Sequence, residues 1–84
     1  MNIIFLDYAC QDYLYWQKTD KKILKRINQL IKDTQKTPFE GIGKLEPLKF
    51  DMSGLWSRRI NQEHRLIYPV KDEYIIIVQC RYYY

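Results

Sequence analysis

The sequence predicts an α+β domain, with two N-terminal helices packed on one face of a twisted, mostly antiparallel sheet. Three observations carry this. A short apolar run, Ile3-Ile4-Phe5-Leu6, is followed by two segments with helical spacing. The C-terminal half then becomes rich in β-branched and aromatic residues separated by turn signals. The order strand, helix, helix, strands sorts the helices from most of the strands, as α+β layering requires. No linker, repeat or low-complexity segment interrupts residues 1–84, which read as one domain.

Ile3 to Leu6 suits a strand buried on both faces. Asp7 can cap a helix by accepting from a free backbone N–H. Ala9, Tyr13 and Trp16 recur at helical spacing, so the first helix spans Tyr8 to Gln17. Thr19-Asp20 supplies a second cap. Ile23, Leu24, Ile27, Leu30 and Ile31 then form one apolar stripe, with Lys21, Lys22, Lys25, Arg26 and Lys32 mainly off it. Thr37-Pro38 stops that helix. Thr37 to Lys44 holds a proline and two glycines and reads as a loop. Glu46-Pro47-Leu48 fits only a short edge strand, because Pro47 has no N–H for a ladder. Leu55 to Ile60 and Arg65 to Val70 form a strand pair, Lys71-Asp72-Glu73 a turn, and Tyr74 to Arg81 a long last strand.

Composition sets bounds. A chain of 84 residues buries about 60 % of its unfolded surface, so its stability is marginal. The formal net charge of +4 favours an acidic partner or nucleic acid without fixing either; a solvated lysine-rich surface fits equally well. Cys10 and Cys80 have no metal-ligand spacing and read as reduced, small, mostly buried residues. The run at Ile3 is far too short to span a bilayer and lacks a basic flank, so no membrane role is expected and the cytoplasm is the expected compartment.

The segment Gly54 to Tyr68 concentrates the chemistry. Leu55, Trp56, Ile60, Leu66, Ile67 and Tyr68 can bury; Arg58, Arg59 and Arg65 can do so only beside something anionic. Arginine's rigid donor fork matches phosphate, so arginines fixed on a sheet suggest an RNA-handling surface. Arg58 and Arg59 face opposite sides of a strand, which makes one of them a surface or interface residue. Arg59 and Arg65 stand opposite each other only if the connecting loop has an odd number of residues; a two- or four-residue loop pairs Arg65 with Ile60. In the last strand, Ile76, Val78 and Cys80 point one way, and Ile75, Ile77, Gln79, Arg81 and Tyr83 the other. That places Arg81 and Tyr83 on the open face. Tyr82 to Tyr84 suit either base stacking or strand packing. His64 falls in a turn and reads as structural, Trp16 and Trp56 as core.

Taken in order, Asp12-Tyr13-Leu14-Tyr15-Trp16, Thr37-Pro38-Phe39-Glu40-Gly41, Glu46-Pro47-Leu48-Lys49, Ser53 to Ile60, Glu63 to Tyr68 and Cys80-Arg81-Tyr82 resemble the YoeB toxins of the RelE-type bacterial superfamily over nearly the whole length. The resemblance implies a RelE-like, microbial-RNase-like fold and a ribosome-dependent mRNA endoribonuclease that needs no metal or cofactor. It implies cleavage in the A site of the 70S ribosome, by attack of the RNA 2′-hydroxyl on the adjacent phosphorus with departure of the 5′-oxygen. The implied partners are a YefM-type antitoxin, operator DNA reached only through that antitoxin, and a second copy of the toxin as a homodimer. By resemblance Glu46 is the general base, Arg65 stabilises the transition state, Lys49 and Arg59 hold the RNA backbone, Arg81 joins them as a candidate phosphate contact, and Tyr84 completes the site.

At one position the chain departs from the family. The penultimate residue, a histidine acting as general acid, is Tyr83 here. Histidine, with a pKa of about 6.5, exchanges protons at neutral pH; tyrosine, near about 10, gives its proton reluctantly. Weakened cleavage is therefore expected. Either Tyr83 is the natural residue with the proton supplied differently, or it is an attenuating substitution. The alternative function is a catalytically weakened toxin acting mainly as an antitoxin-binding co-repressor. A plain basic RNA-binding domain is a third.

Overall fold

The computed structural model describes residues 1–83, so Tyr84 lies outside the described residues. The elements run β1 (Asn2–Phe5), α1 (Asp7–Thr19), α2 (Lys21–Lys36), β2 (Glu46–Pro47), a 3₁₀ turn (Phe50–Met52), β3 (Trp56–Arg59), β4 (Arg65–Tyr68), β5 (Val70–Lys71) and β6 (Tyr74–Ile77). Strands β2, β3 and β4 form an antiparallel sheet. Strand β6 pairs antiparallel with β5 and parallel with β1. A bridge between Ile67 and Gln79 joins the two sheets. Among the described residues no helix is long and apolar enough to cross a membrane.

Helix α1 runs one residue earlier and two later than the Tyr8 to Gln17 spacing indicates, whereas α2 fills the span between its Asp20 cap and the stop at Thr37. Asp20 caps α2, accepting from the N–H groups of Lys22 and Ile23 at 3.0 and 3.1 Å. Asp7 does not cap α1; Leu6 holds that position without a side-chain bond, and Asp7 is the acidic residue of the first turn, where it complements the helix dipole. The α2 stripe buries Ile27 and Leu30 against Leu66, Tyr68, Ile75 and Ile77. Strand β1 is not buried on both faces. Ile3 and Phe5 pack on the core, but Ile4 on the other face is 39 % exposed. Cys10 is also exposed, because the buried stripe of α1 is Ala9, Asp12 and Trp16.

The last strand is shorter than expected, and its facing changes midway. Between the pairs Val70↔Ile75 and Ile67↔Gln79, residues 68–69 oppose residues 76–78. The extra residue is a bulge, which reverses the alternation beyond it. Cys80 therefore turns inward with Ile75 and Ile77, and all three are fully buried.

Candidate active site on the open sheet face

The hairpin β3–β4 decides the site. Its loop is residues 60–64, an odd number, and Arg59 stands opposite Arg65. Asn61 shapes the loop, its side-chain oxygen accepting from the N–H groups of Glu63 and His64 at 2.9 and 2.8 Å. Strand β2 adds Glu46 opposite Ser57. Alternation then puts Glu46, Ser57, Arg59 and Arg65 on one face, with Arg58, Leu66 and Tyr68 on the core face. Glu46 and Arg59 are diagonal neighbours across β2 and β3, roughly 7–8 Å apart at their Cα atoms. Beside them lies a cleft of about 260 Å³ lined by Glu46, Pro47, Leu48, Lys49, Phe50 and Met52.

Glu46, Lys49 and Arg59 are exposed. Arg65 is only 5 % exposed. Among the described residues its partners are carbonyls and an aromatic ring. Nη1 donates to the carbonyls of Asn61 (2.6 Å), His64 (3.0 Å) and Gln62 (3.3 Å), and the Tyr83 ring covers the guanidinium at 4.3 Å. Among the described residues no carboxylate pairs with it; the one ion pair is Arg58–Asp33. The carbonyls fix the fork without neutralising it, which suits a group that receives an anion.

Arg58 is not a surface residue. It is fully buried, with Nη1 donating to Asp33 at 2.5 Å and to the Ile42 carbonyl at 3.1 Å. Nη2 donates to the carbonyls of Thr37 and Glu40 at 2.7 and 3.0 Å, and Nε to the Tyr68 hydroxyl at 3.0 Å. Arg58 thus ties the loop after α2 to β3, and that loop leads directly into Glu46. Donation from the Ile42 N–H, then from Arg58, holds the Asp33 carboxyl below the usual carboxylate range.

The C-terminal tail folds back over the loop at residues 60–64. Its start is pinned to α1, where Trp16 Nε1 donates to the Cys80 carbonyl at 2.9 Å and the Cys80 N–H donates to Asp12 at 3.1 Å. Burial raises the Asp12 carboxyl above its ordinary value, against that bond and the charges of Arg81 and His64. Burial also pushes the Cys80 thiol up to about 12, so it is inert as a nucleophile. Arg81 lies over the Tyr15 ring at 3.6 Å and the Tyr82 ring at 4.7 Å, so the bulge leaves it against α1 as well as near the tail. The Tyr83 hydroxyl donates to the Gln62 carbonyl at 2.7 Å. Asp12 and Gln79 escaped the sequence reading as organisers of the tail. Asp12 at helical spacing from Trp16 was a usable signal; Gln79, which donates to the carbonyls of Arg81, Tyr82 and Tyr83, had none.

The model of the YoeB-like toxin of bacterial type II toxin–antitoxin system matches residues 5–84. The Toxin YoeB of Escherichia coli (strain K12) is 60 % identical over 84 residues, covering 100 % of both chains. The solved YoeB/ParE toxin from Agrobacterium tumefaciens has a TM-score of 0.97 at 44 % identity, with 100 % of both chains covered. YoeB from Staphylococcus aureus, solved as a dimer, has a TM-score of 0.92 at 49 % identity, covering 100 % of this chain and 98 % of that one. In a heterotetrameric YoeB–YefM complex from the same organism the TM-score is 0.91, with the same identity and coverage. Matches of this extent show that the chain belongs to the YoeB-like toxins of bacterial type II toxin–antitoxin systems.

Proposed function

We propose that the chain is a ribosome-dependent endoribonuclease that cuts mRNA in the A site and stops translation. The observation that carries this is the shared sheet face, on which Glu46 and Arg59 are exposed beside Arg65, whose donor fork is fixed by backbone carbonyls. The step needs a base for the 2′-hydroxyl, cations for the charge on phosphorus, and a proton for the departing 5′-oxygen. Glu46 takes the 2′-hydroxyl proton as that oxygen bonds to phosphorus. Arg65 stabilises the five-coordinate phosphorus, and Lys49 and Arg59 hold the flanking phosphates, with Arg81 at the edge. The 5′-oxygen leaves with a proton, giving a cyclic 2′,3′-phosphate and a 5′-hydroxyl. Tyr83, whose ring lies over Arg65, is the donor assigned here, and its hydroxyl must leave the Gln62 carbonyl to serve. That exchange, added to tyrosine's reluctance as an acid, predicts slow turnover. Tyr84 is assigned to the site by resemblance.

The ribosome supplies what this open face lacks. Holding the reacting atoms in line is worth much of a barrier, and a shallow surface does not hold RNA in line by itself. Primer extension on programmed 70S ribosomes tests the reading, with cleavage inside the A-site codon expected and none of the same mRNA free of ribosomes. Equal cleavage of free and bound mRNA would contradict it. The proposed inhibitor is a YefM-type antitoxin whose acidic segment folds over Arg59, Arg65 and the tail. It also links the toxin to operator DNA, and a toxin homodimer is proposed from the relatives' assemblies.

A further inference from the structure

His64 is the only histidine of the chain, it is 7 % exposed, and the proposed reaction does not use it. Its ring packs edge-on against Trp16 of α1, with centroids 4.7 Å apart, and beside Tyr82 at 5.7 Å. Its Nδ1 accepts the backbone N–H of Tyr82 at 2.8 Å. An acceptor nitrogen carries no proton, so the ring is neutral with its proton on Nε2. The next residue, Arg65, donates its own backbone N–H to the Tyr82 carbonyl at 3.0 Å. Tyr82 is thus gripped at both its N–H and its carbonyl by adjacent residues. Its φ is +66°, a left-handed conformation that a tyrosine holds only when its surroundings dictate it. Tyr83, one residue on, lies over Arg65.

We infer that His64 is a positioning residue for the C-terminal tail, its neutral ring holding Tyr82 so that Tyr83 is set over Arg65. The inference rests in part on the nuclease reading, since the tail carries the proposed proton donor, but the grip itself stands apart from any activity. It has a built-in condition. A protonated Nδ1 is a donor and cannot accept from Tyr82, so acid opens the grip. Burial lowers the His64 pKa from its ordinary value, and Arg81 on the tail and Arg65 on β4 act the same way; Glu63 in the loop and Asp12 on α1 oppose them. The grip is therefore intact at neutral pH and is lost as pH falls through the lowered value. Asparagine provides a discriminating substitute, because its amide oxygen can take the place of Nδ1 and does not titrate, whereas leucine fills the space without an acceptor.

The test is amide NMR of the full chain across pH 4.5–7.5, with ribosomal cleavage rates measured on the same proteins. In the unsubstituted chain the Tyr82 amide resonance follows the His64 titration, and its exchange protection falls in acid. His64→Asn keeps Tyr82 protected at both ends of the range. His64→Leu loses that protection at neutral pH while the Leu66 and Ile77 amides stay protected, and its kcat falls by about a hundredfold, as a misplacement of about 1 Å does, with KM little changed. Protection of Tyr82 in His64→Leu equal to that of the unsubstituted chain overturns the inference. Acid-dependent opening of Tyr82 in His64→Asn at the same pH as in the unsubstituted chain also overturns it. If no protein cleaves while the amides behave as described, the nuclease reading fails and the positioning of the tail stands.

Discussion

Arg58, Arg59 and Arg65 lie in one hairpin and meet different fates, and the difference is set by what surrounds each. Arg58 faces the core, where Asp33 and three loop carbonyls saturate its fork. Arg58→Ala strands those acceptors and should cost about 3 kcal/mol or more in urea unfolding, as breaking a buried pair does. The pH dependence follows from the depressed Asp33 carboxyl. A depressed acid contributes stability above its unfolded value of 3.8, and that contribution is lost as pH falls through the lower folded value. Asp33→Asn should flatten the stability profile below pH 3.8, measured by denaturant titration. Among the described residues Arg65 is held by carbonyls and a ring. At position 83, Tyr83→His should raise ribosomal cleavage on the order of 10²-fold, within the range for acid–base catalysis; an unchanged rate would mean the proton comes from elsewhere. Among these residues, the shared face of Arg59 and Arg65 was legible from alternation once the loop length was known. The burial of Arg58 was not, because its partner Asp33 is distant in sequence.

The elements show where local signals suffice. The stripe of α2 and the Asp20 cap were both legible, and Asp20→Ala should cost about 1 kcal/mol by thermal or urea unfolding. Asp7 shows the limit: an acidic residue near a helix start serves either as cap or as first-turn charge, and only backbone geometry separates the two. The bulge opposite Ile67 was hidden for a related reason. Ile75 to Ile77 carries no polar residue to mark a face, so nothing in the sequence reports the extra residue that turns Cys80 inward. Pro69 fits this region, where its carbonyl accepts from Ile76 at 3.1 Å and no donor is required of it. Gly43 adds a steric constraint near the site. Its φ is +88°, and a Cβ there would lie 2.9 Å from Leu30 and 3.2 Å from the Arg58 Cβ. The carbonyl of Gly43 also receives the Arg59 N–H at 2.5 Å, so this glycine sets how closely the loop lies along β3.

At the scale of the molecule, a small sheet divides its labour between faces. The helices cover the face of Leu66 and Tyr68, and the opposite face gathers Glu46, Arg59 and Arg65 with the tail folded across it. The two-helix, antiparallel-sheet architecture was legible from segment order, and the family from motifs spread along the whole chain. The parallel pairing of β1 with β6 was not, since it joins the two ends of the described chain. The measurement that tests the central claim most directly is the single-turnover cleavage rate on programmed 70S ribosomes for the chain and for Glu46→Ala. The expected result is A-site cleavage by the chain and a rate lower by about 10²–10⁴-fold in Glu46→Ala, with folding unchanged because Glu46 is exposed. Equal rates for the two proteins would contradict the assignment of Glu46 and, with it, the active site described on this face.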